Sequence, residues 1–213
     1  MQRLIVLIAD IESSKQIKEE QREALQTKLQ QELDHLNKTE YGPVSPYTIT
    51  LGDEFQAVFE EADRLFVHLF RLLAKLHPVR VRFSLGVGSI ATPLNTEQSI
   101  GMDGPAFHEA RKGMDQLKES GFLFHLNVEE EDNASLKLIN NSLELLSHEI
   151  QTWNQNRLSI FYLTKEGYDY KKIVEQLDIS PPAFYKNKEA GALDVVSKLL
   201  DNISELINQQ LAG

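Results

Sequence analysis

Cysteine is absent from the 213 residues. That excludes disulfides, thiolate metal centres and a thiol nucleophile, and it suits a reducing compartment, so a cytoplasmic location is expected. Long apolar runs are missing too: the first, residues 4–9, has no cleavage-type flank and falls far short of the ~20 residues that a membrane span takes. No membrane partner is expected. Positive charge is scarce, with 22 Lys and Arg against 32 Asp and Glu and a formal net charge of -10. Such a surplus opposes loose, charge-driven attraction to nucleic acid or anionic lipid and leaves any DNA contact to a local patch. Nor does the chain carry a Ser-His-Asp spacing, a P-loop, a dinucleotide glycine pattern, an internal repeat or a low-complexity tract. What remains is an ordinary globular composition, 41% hydrophobic and 25% charged, in a length that suits one large domain or two small ones.

The pattern that carries chemistry lies at residues 48–59, which alternate on both sides of Gly52-Asp53. Period two around a Gly-Asp pair reads as a β-hairpin, whose turn presents the carboxylates of Asp53 and Glu54. Residues 4–9 read as a buried strand that ends on Asp10, placing another carboxylate where it can meet the hairpin tip. Acids so placed make a site for a hard divalent cation, Mg or Mn, with Asp10, Asp53 and Glu54 as ligands and the Ile11 carbonyl as a further oxygen. The competing reading is that these are strand-end and turn acids held by local hydrogen bonds.

In chain order, a helix is expected from near Ile17, with Leu25, Leu29, Leu33 and Leu36 as its buried stripe. Residues 41–46 read as a loop, and the hairpin follows. The next helix buries Ala62, Leu65, Phe66, Leu69, Phe70, Leu73 and Leu76 and stops at His77-Pro78. Residues 79–88 alternate as a half-buried strand with Arg80 and Arg82 on one face. Residues 89–103 form a loop long enough to suggest a functional excursion. A helix opened by Gly104-Pro105 and a strand at residues 122–126 complete the half. The order is strand, helix, strand, strand, helix, strand, helix, strand. It predicts an α+β class, a ferredoxin-like antiparallel palm with its helices on one face.

Glu129-Glu130-Glu131-Asp132-Asn133 is the best boundary, dividing a palm domain at 1–128 from an acidic linker and connecting helix at 129–153. In that helix Leu136, Ile139, Leu143, Leu146, Ile150 and Trp153 form a heptad-like seam, to be packed within the fold or across a dimer. Residues 154–213 read as an all-α domain with a helix-turn-helix: a helix from Tyr170, a turn at residues 178–180, and a second helix capped by Ser180 and started by proline. Leu193, Val196, Leu200, Ile203 and Ile207 mark a last stripe. Lys171, Lys172, Tyr185, Lys186 and Lys188 are the candidate DNA contacts; the alternative is a trihelical packing module, since from Tyr170 on acids outnumber lysines and arginine is absent.

Ile8-Ala9-Asp10-Ile11-Glu12-Ser13-Ser14 resembles the first metal motif of class III nucleotidyl cyclases. Thr50-Leu51-Gly52-Asp53-Glu54-Phe55 resembles their second metal motif and the GGDEF motif of diguanylate cyclases, and Arg82-Phe83-Ser84-Leu85-Gly86-Val87-Gly88 is similar to the strand after their next helix. As a whole the chain resembles the SatD family, in which a cyclase-like half precedes a helix-turn-helix half. The resemblance implies a nucleotidyl cyclase-like palm that binds a nucleotide through Gly52, Arg82 and Arg111, with Arg111 at the position of the transition-state arginine. Arg80, Arg82 and Arg111 have a plainer reading as partners of surface acids, and His77, His108 and His125 are read as structural. Leu51 stands for the first glycine of GGDEF, Ile49 for a base-reading lysine, and Phe107 for the asparagine one turn before the arginine. Lost polar groups at such positions commonly cost ~10²-fold or more each, so standard cyclase activity is not expected. The expectation is a homodimeric regulator in which a nucleotide with a divalent cation bound to the palm is reported by the helix-turn-helix half. An active metal-dependent nucleotidyl transferase and a ligand-free dimeric interaction module are the alternatives.

Overall fold

The computed structural model describes residues 2–12 and 19–212. Ser13, Ser14 and the helix start expected near Ile17 lie outside them. Among the described residues the architecture is mixed α+β, a five-stranded sheet with eight helices. The strands are β1 (Arg3–Ile11), β2 (Ser45–Leu51), β3 (Glu54–Phe59), β4 (Val81–Ser89) and β5 (Phe124–Val128), in the spatial order β2-β3-β1-β4-β5. Each of the first four pairs antiparallel with its neighbours, whereas β5 runs parallel to β4, so the sheet departs from the all-antiparallel expectation at one edge.

Helices cover both faces, not one. Along β1, Ile5, Leu7, Ala9 and Ile11 point into a large apolar core with α1 (Glu19–Leu36) and α2 (Leu65–Leu76). The alternate residues Leu4, Val6 and Ile8 meet Ala106, Phe107, Ala110 and Met114 of α3 (Pro105–Ser120). Covered on both faces, β4 is buried along almost its whole length; of the expected basic pair Arg82 lies within it and Arg80 precedes it. The close approach of α3 is made possible by Gly86: a Cβ there would sit 2.1 Å from the Ala106 carbonyl oxygen and 2.3 Å from the Ala110 nitrogen.

Ser45 and Pro46 open β2 instead of closing a loop. As an edge strand, β2 tolerates a residue without an N–H. Gly52 has φ 59, the left-handed conformation the tight turn needs. The long loop after β4 folds back over β2 and β3, where buried Ser99 donates to the Pro46 carbonyl oxygen at 2.8 Å and its amide donates to Thr48 Oγ1 at 2.9 Å.

Beyond β5 come α4 (Ala134–Ile150), α5 (Gln155–Lys165), α6 (Tyr170–Leu177), α7 (Pro181–Ala190) and α8 (Leu193–Ala212). Asn133, Asn154, Asp169 and Ser180 cap α4 to α7 with side-chain oxygens that accept backbone N–H groups. The seams of α4 and α8 are both consumed inside the chain: Leu143, Leu200 and Ile207 are fully buried and belong to the same apolar cluster as β1 and α2. Neither stripe is left over to argue for a dimer. Phe70 of α2 ties the two halves, with ring centroids 4.2 Å from Phe161 and 6.1 Å from Trp153.

Candidate functional site

Three strands in register build the site. Asp10 on β1 stands directly opposite Glu54 on β3 and, on its other side, opposite Arg82 on β4. Residues directly opposite in a sheet share a face, and alternation along β1 makes this the face of Leu4, Val6 and Ile8, which α3 covers. The result is a row of Glu54, Asp10 and Arg82. From above, α3 adds Arg111 and Lys118, seven residues and thus about two turns apart on one side of the helix.

Two carboxylates facing each other across a ladder repel, so each needs a cation. Arg111 grips Glu54 with both ends of its fork, Nη1 to Oε2 at 2.6 Å and Nη2 to Oε1 at 2.8 Å. Arg82 donates to Asp10 Oδ2 at 3.1 Å and to Glu12 Oε1 at 2.8 Å, and Arg80 Nε lies 3.0 Å from Glu12 Oε2. Lys118 Nζ stands 4.0 Å from Asp10 Oδ1. Asp10 and Glu54 are buried, whereas the side chains of Arg111 and Lys118 are 47% and 44% exposed. The bases on α3 can therefore turn away, and the acids cannot.

The two acids titrate in opposite directions. Burial pushes the Asp10 carboxyl up, Asp53 adding repulsion while Lys118 and Arg82 pull it down. Repulsion between acids contributes, but loss of water is the main cause. The Arg111 fork holds Glu54 below the ordinary carboxylate range against the effect of its burial, and raises Arg111 in return.

Of the expected ligands, Asp10 and Glu54 stand directly opposite each other and Asp53 is near enough to Asp10 to repel it, but the three acids do not converge as a metal-holding group. Glu54 is not a solvent-facing turn residue: it is the first residue of β3, buried, with Thr50 Oγ1 3.3 Å from Oε1. The amide of buried Ile11 donates to the Asp53 carbonyl oxygen at 3.1 Å, tying the end of β1 to the hairpin turn beside Gly52. The donor chemistry, hard carboxylate oxygens, fits Mg or Mn. Its number is small, because among the described residues no group of three or more His, Cys, Asp or Glu is placed to hold a metal ion. A two-carboxylate set suits a cation that brings its own oxygens, since Mg²⁺ usually takes one or two carboxylates and completes its shell with water and substrate phosphates.

Sequence reasoning passed over Lys118 and gave Glu12 no role. Spacing would have found both: Lys118 follows Arg111 by two helical turns, and Glu12 follows Asp10 by the two residues that return a strand to one face. Outside the site, His108 Nε2 lies 2.9 Å from Asp103 and His125 Nε2 lies 3.2 Å from Asn127. His77 provides the end of α2.

In the helical part, α6 and α7 flank residues 178–180, with Asp178 left-handed at φ 50 and Pro181 opening α7. Lys171, Lys172, Tyr185 and Lys186 are exposed, and the Tyr170 and Tyr185 rings lie 6.1 Å apart. Lys188 is already engaged, 3.1 Å from Asp194 of α8.

The SatD family model matches residues 4–207. The chain belongs to the SatD family. No curated protein matches this SatD chain. Among solved structures, a bacterial light-regulated adenylyl cyclase matches it at 17% identity with a TM-score of 0.42, over 58% of the SatD chain and 42% of the cyclase. The match thus spans less than half the length of that cyclase. No helix among the described residues is long and apolar enough to cross a membrane.

Proposed function

We propose that the protein is a cytoplasmic regulator: the charged end of its sheet takes a nucleotide together with Mg or Mn, and the helical part contacts DNA. The observation that carries the reading is the row of Glu54, Asp10 and Arg82 beneath Arg111 and Lys118, where buried acids and movable bases share one face. Asp10 and Glu54 would hold the cation, with Asp53 and the Ile11 main chain beside them. Arg111 and Lys118 would meet phosphate, with Arg82 adding positive charge from its place on Asp10 and Glu12. Gly52 has no side chain to bar a ligand, and beyond its chain neighbours no atom lies within 4 Å of where its Cβ would be. A bound cation supplies charge that neutralises phosphate oxygens.

Ile49, Leu51 and Phe107 offer no polar group where the cyclase resemblance calls for base reading, phosphate approach and transition-state support. Binding without standard cyclase turnover follows. The strand order β2-β3-β1-β4 with antiparallel pairing is that of a ferredoxin-like palm, which supports the likeness. For DNA, the support is the three-residue turn between α6 and α7 and the exposed Lys171, Lys172, Tyr185 and Lys186. A homodimer is part of the proposal only through the cyclase resemblance.

Calorimetric titration with a panel of nucleoside mono-, di- and triphosphates, with and without Mn²⁺, tests the ligand. Binding is expected only for phosphate-bearing nucleotides, tighter with Mn²⁺; product analysis after incubation should find the nucleotide unchanged. Absence of binding across the panel would reduce the site to a structural ion-pair ladder. For DNA, Lys171→Ala with Lys186→Ala should weaken binding to a fragment upstream of the protein's own coding sequence and flatten its salt dependence. An unchanged salt slope would move the interface elsewhere.

A further inference from the structure

Arg111 occupies both oxygens of Glu54, and Glu54 is one of the two carboxylates directly opposed across β1 and β3. A guanidinium in that fork is a cation already in place. A divalent ion arriving alone has to displace a bidentate, charge-assisted pair and leave Arg111 with only water and the weaker pull of Asp115 and Asp10. A cation that arrives with phosphate offers Arg111 a pair of phosphate oxygens, the other partner its fork matches. The acid side of the pair is fixed in β3 and buried, and the base side is a half-exposed side chain on a helix. Only the base can move.

Resting on the nucleotide and cation reading of this site, we infer that Arg111 is a latch that closes Glu54 to a lone divalent cation and opens to the phosphate of a nucleotide arriving with one. The consequence is a site selective for the pair of ligands. Each favours the other through the same side chain, since whatever draws Arg111 off Glu54 uncovers a donor, and whatever takes Glu54 frees a phosphate partner. Arg82 does not share the role: its side chain is 12% exposed and it holds Asp10 and Glu12 at once.

Mn²⁺ titration followed by electron paramagnetic resonance, with and without non-hydrolysable ATP and GTP analogues, tests the latch on wild type, Arg111→Met and Lys112→Met. Lys112 sits beside Arg111 on α3 and its nearest acid is Glu109, so its variant matches the change in charge without touching Glu54. The expected result is that Arg111→Met binds Mn²⁺ alone at least tenfold more tightly than either wild type or Lys112→Met. The analogue should no longer enhance Mn²⁺ binding in that variant, though it does in wild type. Circular dichroism checks folding, and Arg111→Lys, which keeps the charge and loses the fork, should move Mn²⁺ affinity the same way by a smaller factor. Equal or weaker Mn²⁺ affinity in Arg111→Met overturns the latch while wild-type binding leaves the site reading standing. If wild type and both Arg111 variants bind no Mn²⁺ with or without the analogues, the site reading falls and the latch with it.

Discussion

Asp10 and Glu54 stand directly opposite each other across one ladder and behave in opposite ways. Glu54 is held below the ordinary carboxylate range by Arg111, so its contribution to stability is present above that range and is lost as the pH falls through the lowered value. Glu54→Gln should therefore melt lower than wild type near neutral pH, by about 1–3 kcal/mol for a charge-assisted pair. The gap should close in acid, and a gap that persists there would mean that packing, not charge, holds Glu54. Asp10 runs the other way: raised chiefly by burial, it favours the fold at low pH and costs stability once ionised. Asp10→Asn should leave the neutral-pH melting temperature unchanged or raised, because Arg82 keeps Glu12 as a partner. A third group sits in the core. His68, packed against Tyr47 and Phe59, is pushed down to about 4 from 6.5 by burial, with Arg64 and Arg71 adding to the effect. Its stabilisation is intact above pH 6.5 and falls away by about 3 kcal/mol as the pH drops to about 4. His68→Gln should remove that slope from a plot of melting temperature against pH.

At the scale of elements, the contact that positions the site is α3 on β4, and it depends on a missing side chain. Gly86→Ala drives a methyl group into the backbone of α3 at Ala106 and Ala110. Overpacking of this kind costs about 1–3 kcal/mol, and here it also lifts the helix that carries Arg111 and Lys118. Stability and ligand affinity should fall together; loss of one alone would separate the helix position from the site. The order of elements was legible because each apolar period is interrupted by a turn signal, such as Gly52-Asp53, His77-Pro78 or Gly104-Pro105. The opposition of Asp10 and the hairpin was legible for the same reason, since a strand end and a hairpin turn have fixed places in a sheet. Which face α3 covers was not, because Ala106, Ala110 and Met114 make a short apolar stripe that suits either side. The partners of the acids were not legible either: pairing depends on the register of β1 against β4, a long-range choice that no local pattern in Arg80 or Arg82 reveals. The seam on α4 carried the period of a helix partner but no sign of whether that partner was its own chain.

Across the whole molecule, one apolar cluster runs from β1 and α2 to Trp153, Phe161 and the last helix, and does not stop at the acidic run near residue 130. Phe70 lies among Phe124, Trp153 and Phe161, so Phe70→Ala should cost about 3–5 kcal/mol. Because it joins both halves, the loss should appear as one shifted transition, with Trp153 fluorescence and far-ultraviolet circular dichroism melting together. Two separated transitions would instead make the helical part an independent unit. The packing of α8 against β1 and β4 has a consequence in time. Synthesis at about 5–20 residues per second separates β1 from α8 by on the order of ten to forty seconds, so the central strand waits that long for α8 to cover it. For that interval Ile5, Leu7 and Ala9 belong to an unfinished core.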